Sequence, residues 1–388
     1  MHTLPQTAIP TPAADARPAS FSSPGLLALE GGSIYRGRLR GARVRAAGDL
    51  IFTTAATGWG EILTDPSYAG QMVVLTHPMA GSYRIDPSDL ESSQVHARAL
   101  IVTRLVTPPP GPGLALEELL FEAGIPALEG IDTRALTLEL RRGAARRAVT
   151  GPMTGDQHEE ARAVEAARRS LAWESVDHVA AVASRVAHEV APAGAVRGRA
   201  TLVDYGVKRS LLAALSDRGL LVTVLPPYAS AADVAATDPD LVVLSPGPGD
   251  PSRMAPQIAM VSELASVAVG GGTPILGICL GHQLLALAAG AETRRLAVGH
   301  HGGNHAVLEV ETGRVDIGAH NHEVAVLDSE RLTAAGYRVS HRDLNDRTVE
   351  GLVHATGRIA SVQFHPEGAP GPVDAARVFD LALEGALA

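Results

Sequence analysis

The 388-residue chain is short of several things, and each shortage excludes a class of protein. It has one cysteine, Cys279, which excludes an intrachain disulfide framework and a zinc–thiolate cluster. A lone thiol is then either an inert buried group or a nucleophile. It has one lysine, Lys208, and every other basic side chain is an arginine, a bias that reads as genomic base composition. Aromatic residues are only 3% of the chain, too few for a base-stacking platform. The net charge is -9 with no basic block, so neither nucleic acid nor a membrane surface is an expected partner. No apolar run reaches the ~18 residues of a membrane span. The Ala/Pro/Ser/Thr-rich stretch 1–24 lacks the charged start and apolar core of a secretory signal. It is expected to be a disordered tail on a soluble, cytoplasmic protein. The phosphate-binding pattern G-x-x-x-x-G-K-[ST] is absent, and no nucleotide or metal motif stands in its place. The expected cofactor and metal complement of this chain is therefore none.

Apolar residues make up 46% and charged residues 19%, enough to bury a sizeable core, and the length suggests two domains. The region 25–150 holds short β-like runs at Asp49–Thr53, Gln71–Thr76 and Ala99–Val102, divided by Gly and Pro turns. The tract Thr107–Gly113 (TPPPGPG) is a loop. Helices are expected over Leu116–Ala123 and over Thr133–Arg142, the second capped by Asp132. The region 151–199 is Ala-rich and helical around His158–Leu171, and reads as a connector. From Ala200 onward apolar strands alternate with helices: Thr201–Tyr205, Leu220–Leu225, Leu241–Ser245 and Pro274–Ile278 as strands, with helices over Lys208–Asp217, Ala231–Ala236, Gln257–Val269 and Gly281–Ala289. That alternation predicts a doubly wound parallel sheet, with ligands at the carboxyl ends of its strands. From His305 to Phe364 the pattern changes to short alternating strands.

Cys279 sits at such a strand end, inside Gly277-Ile278-Cys279-Leu280-Gly281. The spacing predicts a sharp strand-to-helix elbow that exposes the sulfur, with glycines where side chains would collide. The helix N-terminus behind it favours the thiolate, and the Leu280 N–H is placed for an oxyanion. A nucleophilic thiol needs a base. Nine of the fifteen histidines lie from His282 onward, and most read as structural or surface residues. His365 stands apart, in Gln363-Phe364-His365-Pro366-Glu367 after the apolar run Ile359–Phe364. Glu367 is placed to orient its ring, which completes a Cys–His–carboxylate set. A third segment, Ser245-Pro246-Gly247-Pro248-Gly249-Asp250-Pro251, offers bare backbone N–H groups at another strand end.

These three segments resemble the class I glutamine amidotransferases over about Ala200–Ala388. The resemblance implies hydrolysis of L-glutamine through a cysteine thioester, with Cys279 as nucleophile, His365 as base and Glu367 as its orienter. It further implies an oxyanion hole at Gly247 and Leu280 and substrate contacts at Gln283, Gly249, Asn321, Ala55, Glu323 and Val324. The first half narrows the family. Glu61–Tyr68 (EILTDPSY), Glu91–His96 (ESSQVH), Gly130–Arg134 (GIDTR), Gly206–Arg209 and Gly299–His305 (GHHGGNH) are similar to the small subunit of carbamoyl-phosphate synthase. The implied architecture is α/β: a smaller mixed α/β N-terminal domain, 25–150, the helical connector 151–199, then a doubly wound, flavodoxin-like amidotransferase domain, 200–388. The implied partner is a large subunit that holds the ATP and Mg and makes carbamoyl phosphate, for arginine, pyrimidine or another pathway.

Several positions depart from the family pattern, and they cluster on substrate contacts. Ala55 stands where serine is usual, Pro246 where asparagine is usual, Ala297 where lysine is usual and Ala306 where proline is usual. Gly81-Ser82-Tyr83-Arg84 replaces a G-N-x-G segment, and Asn321-His322-Glu323-Val324 replaces N-H-G-F. Each lost substrate hydrogen bond costs about 0.5–1.5 kcal/mol, which predicts weaker glutamine binding with the chemistry intact. The alternatives are a diverged, weakly catalytic or non-catalytic paralogue that serves as a structural partner, and an amidotransferase for another acceptor. No role for Lys208 follows from the sequence beyond a structural or interface contact.

Overall fold

The computed structural model describes residues 22–143 and 146–387. They divide into two units that meet in sequence between Val176 and Asp177. The expected tail 1–24 lies mostly outside the described residues. Its last residues do not: Ser22 is described, and the first strand begins at Ser23. The stretch 151–199, expected as one connector, is shared between the two units. Its helix Glu159–Arg169 buries Ala163 against Leu26 and Ala28 of the first strand. Its last part contributes a strand to the second unit.

The first unit is a closed seven-stranded barrel of β1 (Ser23–Leu29), β2 (Ile34–Gly41), β3 (Ala46–Thr53), β4 (Gln71–Leu75), β5 (Ala99–Ile101), β6 (Pro126–Glu129) and β7 (Arg147–Pro152). The strand order is β1-β2-β6-β5-β4-β3-β7, with β3 to β6 parallel to one another and the other pairings antiparallel. Burial on both faces explains why β4 after Gln71, and all of β5, are apolar. Met72, Val74, Ala99 and Ile101 join the interior cluster with Leu27, Leu39 and Leu128. Val73, Leu75 and Leu100 face the other way, with Ile62, Leu116 and Leu119 from the covering helices. Asp132 caps the helix Thr133–Arg141 as expected, accepting from the Ala135 N–H at 2.8 Å.

The second unit is one ten-stranded sheet of β8 (His188–Val190), β9 (Gly198–Val203), β10 (Leu220–Leu225), β11 (Leu241–Leu244), β12 (Ile275–Ile278), β13 (Thr293–Glu309), β14 (Val315–Val326), β15 (Tyr337–Asp343), β16 (Val349–His354) and β17 (Ile359–Val362). Its centre, β10-β9-β11-β12-β17, is parallel. Numbered along the chain this order is 2-1-3-4-5, the flavodoxin-like doubly wound arrangement. Side chains alternate between two buried faces: Val242 and Leu244 pack with Val261, Leu264 and Leu284. Leu241 and Val243 pack with Leu211, Leu215 and Phe379 on the other. Beyond β17 the sheet turns antiparallel through β16, β15, β13 and β14. Short strands were expected there, but β13 runs for 17 residues. The glycines of Gly299–His305 do not end it. They sit where its register with β14 shifts, between Arg295 and His300 and between Gly302 and His305. Among the described residues no helix is long and apolar enough to cross a membrane.

Candidate active site

The turn after β12 is built by close approach. Cys279 has φ 52 and ψ -102, a conformation that L side chains rarely hold, so the fold around it supplies the restraint. Its N–H donates to the Val362 carbonyl at 2.8 Å, and the next glycine, Gly281, donates to the Ser245 carbonyl at 3.2 Å. A methyl group on Gly281 would lie 2.3 Å from the Leu244 oxygen, and one on Gly277 would lie 2.8 Å from the Gly281 oxygen. The flanking glycines therefore let the helix Leu280–Ala288 press against β11 and β12. One expectation is corrected here: the sulfur is not exposed, since Cys279 is only 2% accessible. β14 and the end of β17 cover it, with the Asn321 carbonyl 3.9 Å and the Gln363 amide nitrogen 3.6 Å from Sγ.

His365 reaches the same place from the end of β17. Its N–H donates to the Ala319 carbonyl at 2.8 Å. Its Nδ1 lies 2.7 Å from Glu367 Oε1, so Nδ1 carries the proton of that bond and the ring is held by the carboxylate. Nε2 is buried without a standard hydrogen bond and is left for the Cys279 thiol, which interacts with the ring. Glu367 is itself held: Lys208 Nζ stands 3.1 Å from Oε1 and donates to the Ala369 carbonyl at 2.6 Å. The sole lysine of the chain is thus tied to the residue that orients the histidine, and it is 2% accessible. Burial opposes charge on both partners. For His365 the Glu367 carboxylate outweighs it and lifts the imidazole well above its ordinary range. For Glu367 the Lys208 ammonium and then His365 outweigh it, and the carboxyl is pushed down to about 2.

The other expected residues are placed at or just after the strand ends, on β14 and in the first unit. Gly247 lies where only glycine fits, since a methyl group there would be 2.3 Å from the Tyr205 oxygen and 3.0 Å from a Leu280 methyl. Leu280 is the first residue of its helix, so its N–H has no carbonyl one turn back to bind. Gln283, Val324 and Gln363 form a chain toward the thiol: Gln283 Nε2 donates to the Val324 carbonyl at 2.7 Å and to Gln363 Oε1 at 3.0 Å. Asn321 and Glu323 lie on β14, with His301 bridging Asn321 Oδ1 at 3.0 Å and Glu323 Oε1 at 2.9 Å. Arg295 binds the other Glu323 oxygen at 3.3 Å, so the acid that replaces glycine is buried in an internal ion pair. Gly249 has φ +102 in the Ser245–Pro251 loop. Ala55 follows β3 in the first unit, with its N–H on Thr53 Oγ1.

Two contacts were not foreseen. Gln363 is part of the QFHPE segment, but its approach to Sγ depends on strand pairing. The signals for Lys208 were its isolation in an arginine-using chain and its place in the Gly206–Arg209 segment, and neither pointed to Glu367. In the Gly81–Arg84 segment, Arg84 stands at the usual second glycine and donates to the Gly113 carbonyl at 2.9 Å, and the neighbouring Tyr83 hydroxyl accepts from the Gly58 and Trp59 N–H groups at 2.7 and 3.3 Å. The Tyr83 ring stacks on Trp59 at 4.5 Å, so this side chain caps the helix that Trp59 begins.

A cysteine at a strand–helix elbow, a histidine–glutamate pair at the neighbouring strand end and a 2-1-3-4-5 sheet define a class I glutamine amidotransferase domain. The family model for glutamine amidotransferase class-I matches residues 201–384, and the model for the carbamoyl-phosphate synthase small chain, CPSase domain, matches 27–150. Proteins named carbamoyl phosphate synthase small chain are similar over nearly the whole length. The one from Listeria innocua is 39% identical over 366 residues, covering 92% of this chain and 96% of the relative. Those from Methanopyrus kandleri and Bacillus caldolyticus are 41% and 40% identical, each over 91% of this chain and over 96% and 94% of the relative. The chain belongs to the carbamoyl phosphate synthase small chain family.

Proposed function

We propose that this chain hydrolyses glutamine at Cys279 and delivers the ammonia to a large, ATP- and Mg-dependent subunit that makes carbamoyl phosphate. The observation that carries the reading is the buried run from Cys279 through His365 to Glu367 and Lys208. A protonated His365 beside the sulfur supplies the counter-charge for a thiolate. Sγ attacks the side-chain carbonyl carbon of glutamine, and the electron pair moves onto oxygen, toward the N–H groups of Gly247 and Leu280. As the C–N bond breaks, His365 gives its Nε2 proton to the leaving nitrogen, which departs as ammonia. The now neutral ring takes a proton from water, hydroxide adds to the thioester, and glutamate leaves with Sγ restored. Glu367 stays ionised throughout and holds Nδ1–H in place.

A glutamine-analogue alkylator is expected to add its mass at Cys279. Cys279→Ser is expected to abolish glutamine-dependent synthesis by the two-subunit enzyme while sparing ammonia-dependent synthesis. An unmodified thiol, with no glutaminase activity even in the presence of the large subunit, would leave the chain as a structural partner. Co-purification identifies the acceptor: a partner that does not consume ATP to make carbamoyl phosphate would point to a different amidotransferase.

A further inference from the structure

Three histidines and a glutamate converge inside the second unit, away from the groups used above. His320 and His322 are two apart on β14 and therefore share a face, the face opposite to Asn321 and Glu323. His300 comes from β13, where it pairs in register with His322. Glu350 comes from β16. One donor atom from each of the four lies within 4.8 Å of all the others, and all four residues are buried.

The hydrogen bonds fix which atom of each ring faces inward. His322 Nδ1 is 3.0 Å from the Val324 carbonyl, and His320 Nδ1 is 3.2 Å from the Gly318 carbonyl. A carbonyl oxygen only accepts, so both Nδ1 atoms carry protons. His300 Nε2 is 3.0 Å from Asp346 Oδ2 and donates in the same way. In a neutral imidazole the other nitrogen is then a bare lone pair. The His320 and His322 lone pairs aim at the Glu350 carboxylate, which is also an acceptor, with His320 Nε2 3.0 Å and His322 Nε2 3.7 Å from its oxygens. His300, whose pKa burial lowers but Glu350 and Asp346 lift to about 9, brings Nδ1 to 3.5 Å from the same carboxylate. His300 Nδ1 and His322 Nε2 are buried atoms with no hydrogen-bond partner. Acceptors that face one another in a dry interior repel, and a shared cation removes the conflict.

We propose that His300, His320, His322 and Glu350 bind a divalent transition-metal ion of zinc's type as a closed structural site. Three imidazole nitrogens and one carboxylate oxygen are a zinc donor set. Ligands about 2.0–2.1 Å from a tetrahedral ion stand roughly 3.3 Å from one another. Here the nitrogens stand 3.0 Å from Glu350 Oε2 (His320) and 3.5 and 3.7 Å from Oε1 (His300 and His322), and all four donor atoms lie within 4.8 Å, close enough for a small inward shift to meet an ion. Each imidazole also has the outer partner that metal-bound histidines require, an oxygen accepting from the far nitrogen: the Val324 and Gly318 carbonyls and Asp346. With four protein ligands no coordination position is left for a substrate, so the ion takes no part in glutamine hydrolysis. It clamps β13, β14 and β16 together behind Asn321, whose carbonyl faces the Cys279 sulfur. No fixed-spacing motif marks these residues, because they come from three strands joined only by the fold.

The test uses untagged full-length protein, purified with its partner subunit if the two copurify, and reads metal rather than activity. Elemental analysis is expected to find about one zinc per chain, and stripping with a chelator is expected to lower the unfolding temperature, restored by Zn²⁺. Co²⁺ added to the stripped protein is expected to give the intense visible absorption of a tetrahedral site. His320→Gln removes a ligand and should abolish stoichiometric binding. Asp346→Asn alters only an outer partner on a partly exposed side chain, and should weaken Zn²⁺ affinity by about 10–100-fold with the fold intact. Protein that neither retains zinc nor gains thermal stability from it overturns the assignment. So does zinc bound equally well by both variants, since the ion would then lie elsewhere.

Discussion

At the scale of single residues, the site is defined by what does not fit. A methyl group at Gly247 would lie 2.3 Å from a backbone oxygen that has nowhere to retreat. Gly247→Ala should therefore displace the loop, costing about 1–3 kcal/mol of stability. It should also slow glutamine hydrolysis about 10²–10³-fold, the usual penalty for a lost oxyanion donor. Calorimetry and a glutaminase assay on the same preparation measure both. Glu367 makes a pH-dependent prediction. Its carboxyl is held near 2 in the folded chain against an ordinary 4.5. The folded state thus binds fewer protons than the unfolded one, and the contribution is complete above about pH 4.5 and lost as pH falls toward 2. Glu367→Gln should be less stable than the parent at neutral pH by on the order of 3 kcal/mol, and the gap should close on acidification. Parallel denaturant titrations at several pH values show whether it does. These residues were legible as a set because cysteine, histidine and glutamate stand in short segments beside predicted strand ends. The burial of the thiol was not, because β14, which covers it, lies some forty residues away in sequence.

At the scale of elements, local chemistry and long-range pairing part company. The helix Thr133–Arg141 and its Asp132 cap were readable because a cap and its helix are neighbours in sequence. The apolar runs of β9 to β12 were readable because strands buried on both faces need no polar alternation. The helix Trp59–Thr64 was not assigned from its sequence, and neither was its capping by Tyr83, some 25 residues downstream. Tyr83→Phe keeps the stack on Trp59 and removes the hydroxyl that accepts two N–H groups. It should cost about 1 kcal/mol, read as a shifted urea midpoint with an unchanged slope. The length of β13 was not legible, since glycine weakens a strand in isolation and only kinks it where a partner strand holds it on either side of the register shift.

At the scale of the molecule, each unit has its own cores, and the second contains every group of the Cys–His–Glu–Lys run. A fragment starting at Asp177 should fold cooperatively and keep an alkylatable Cys279. One starting at Ala200 loses β8, which pairs with β10 over His188–Val190. It bares an apolar strand edge and should aggregate, as light scattering during refolding would report. The alternation of strands and helices revealed the doubly wound half, because a parallel sheet needs its crossovers. The closure of β1 to β7 into a barrel left no comparable trace, because closure depends on β1 meeting β7 more than a hundred residues later.

Lys208 has a consequence for how the protein meets reagents. Its ε-amine is the only one in the chain, and it is sealed between Glu367 and Ala369. Succinimidyl esters and aldehydes therefore find no accessible lysine on the native chain. Peptide mapping should find Lys208 unlabelled in the native protein, and the appearance of a tag on it would time the opening of the active site.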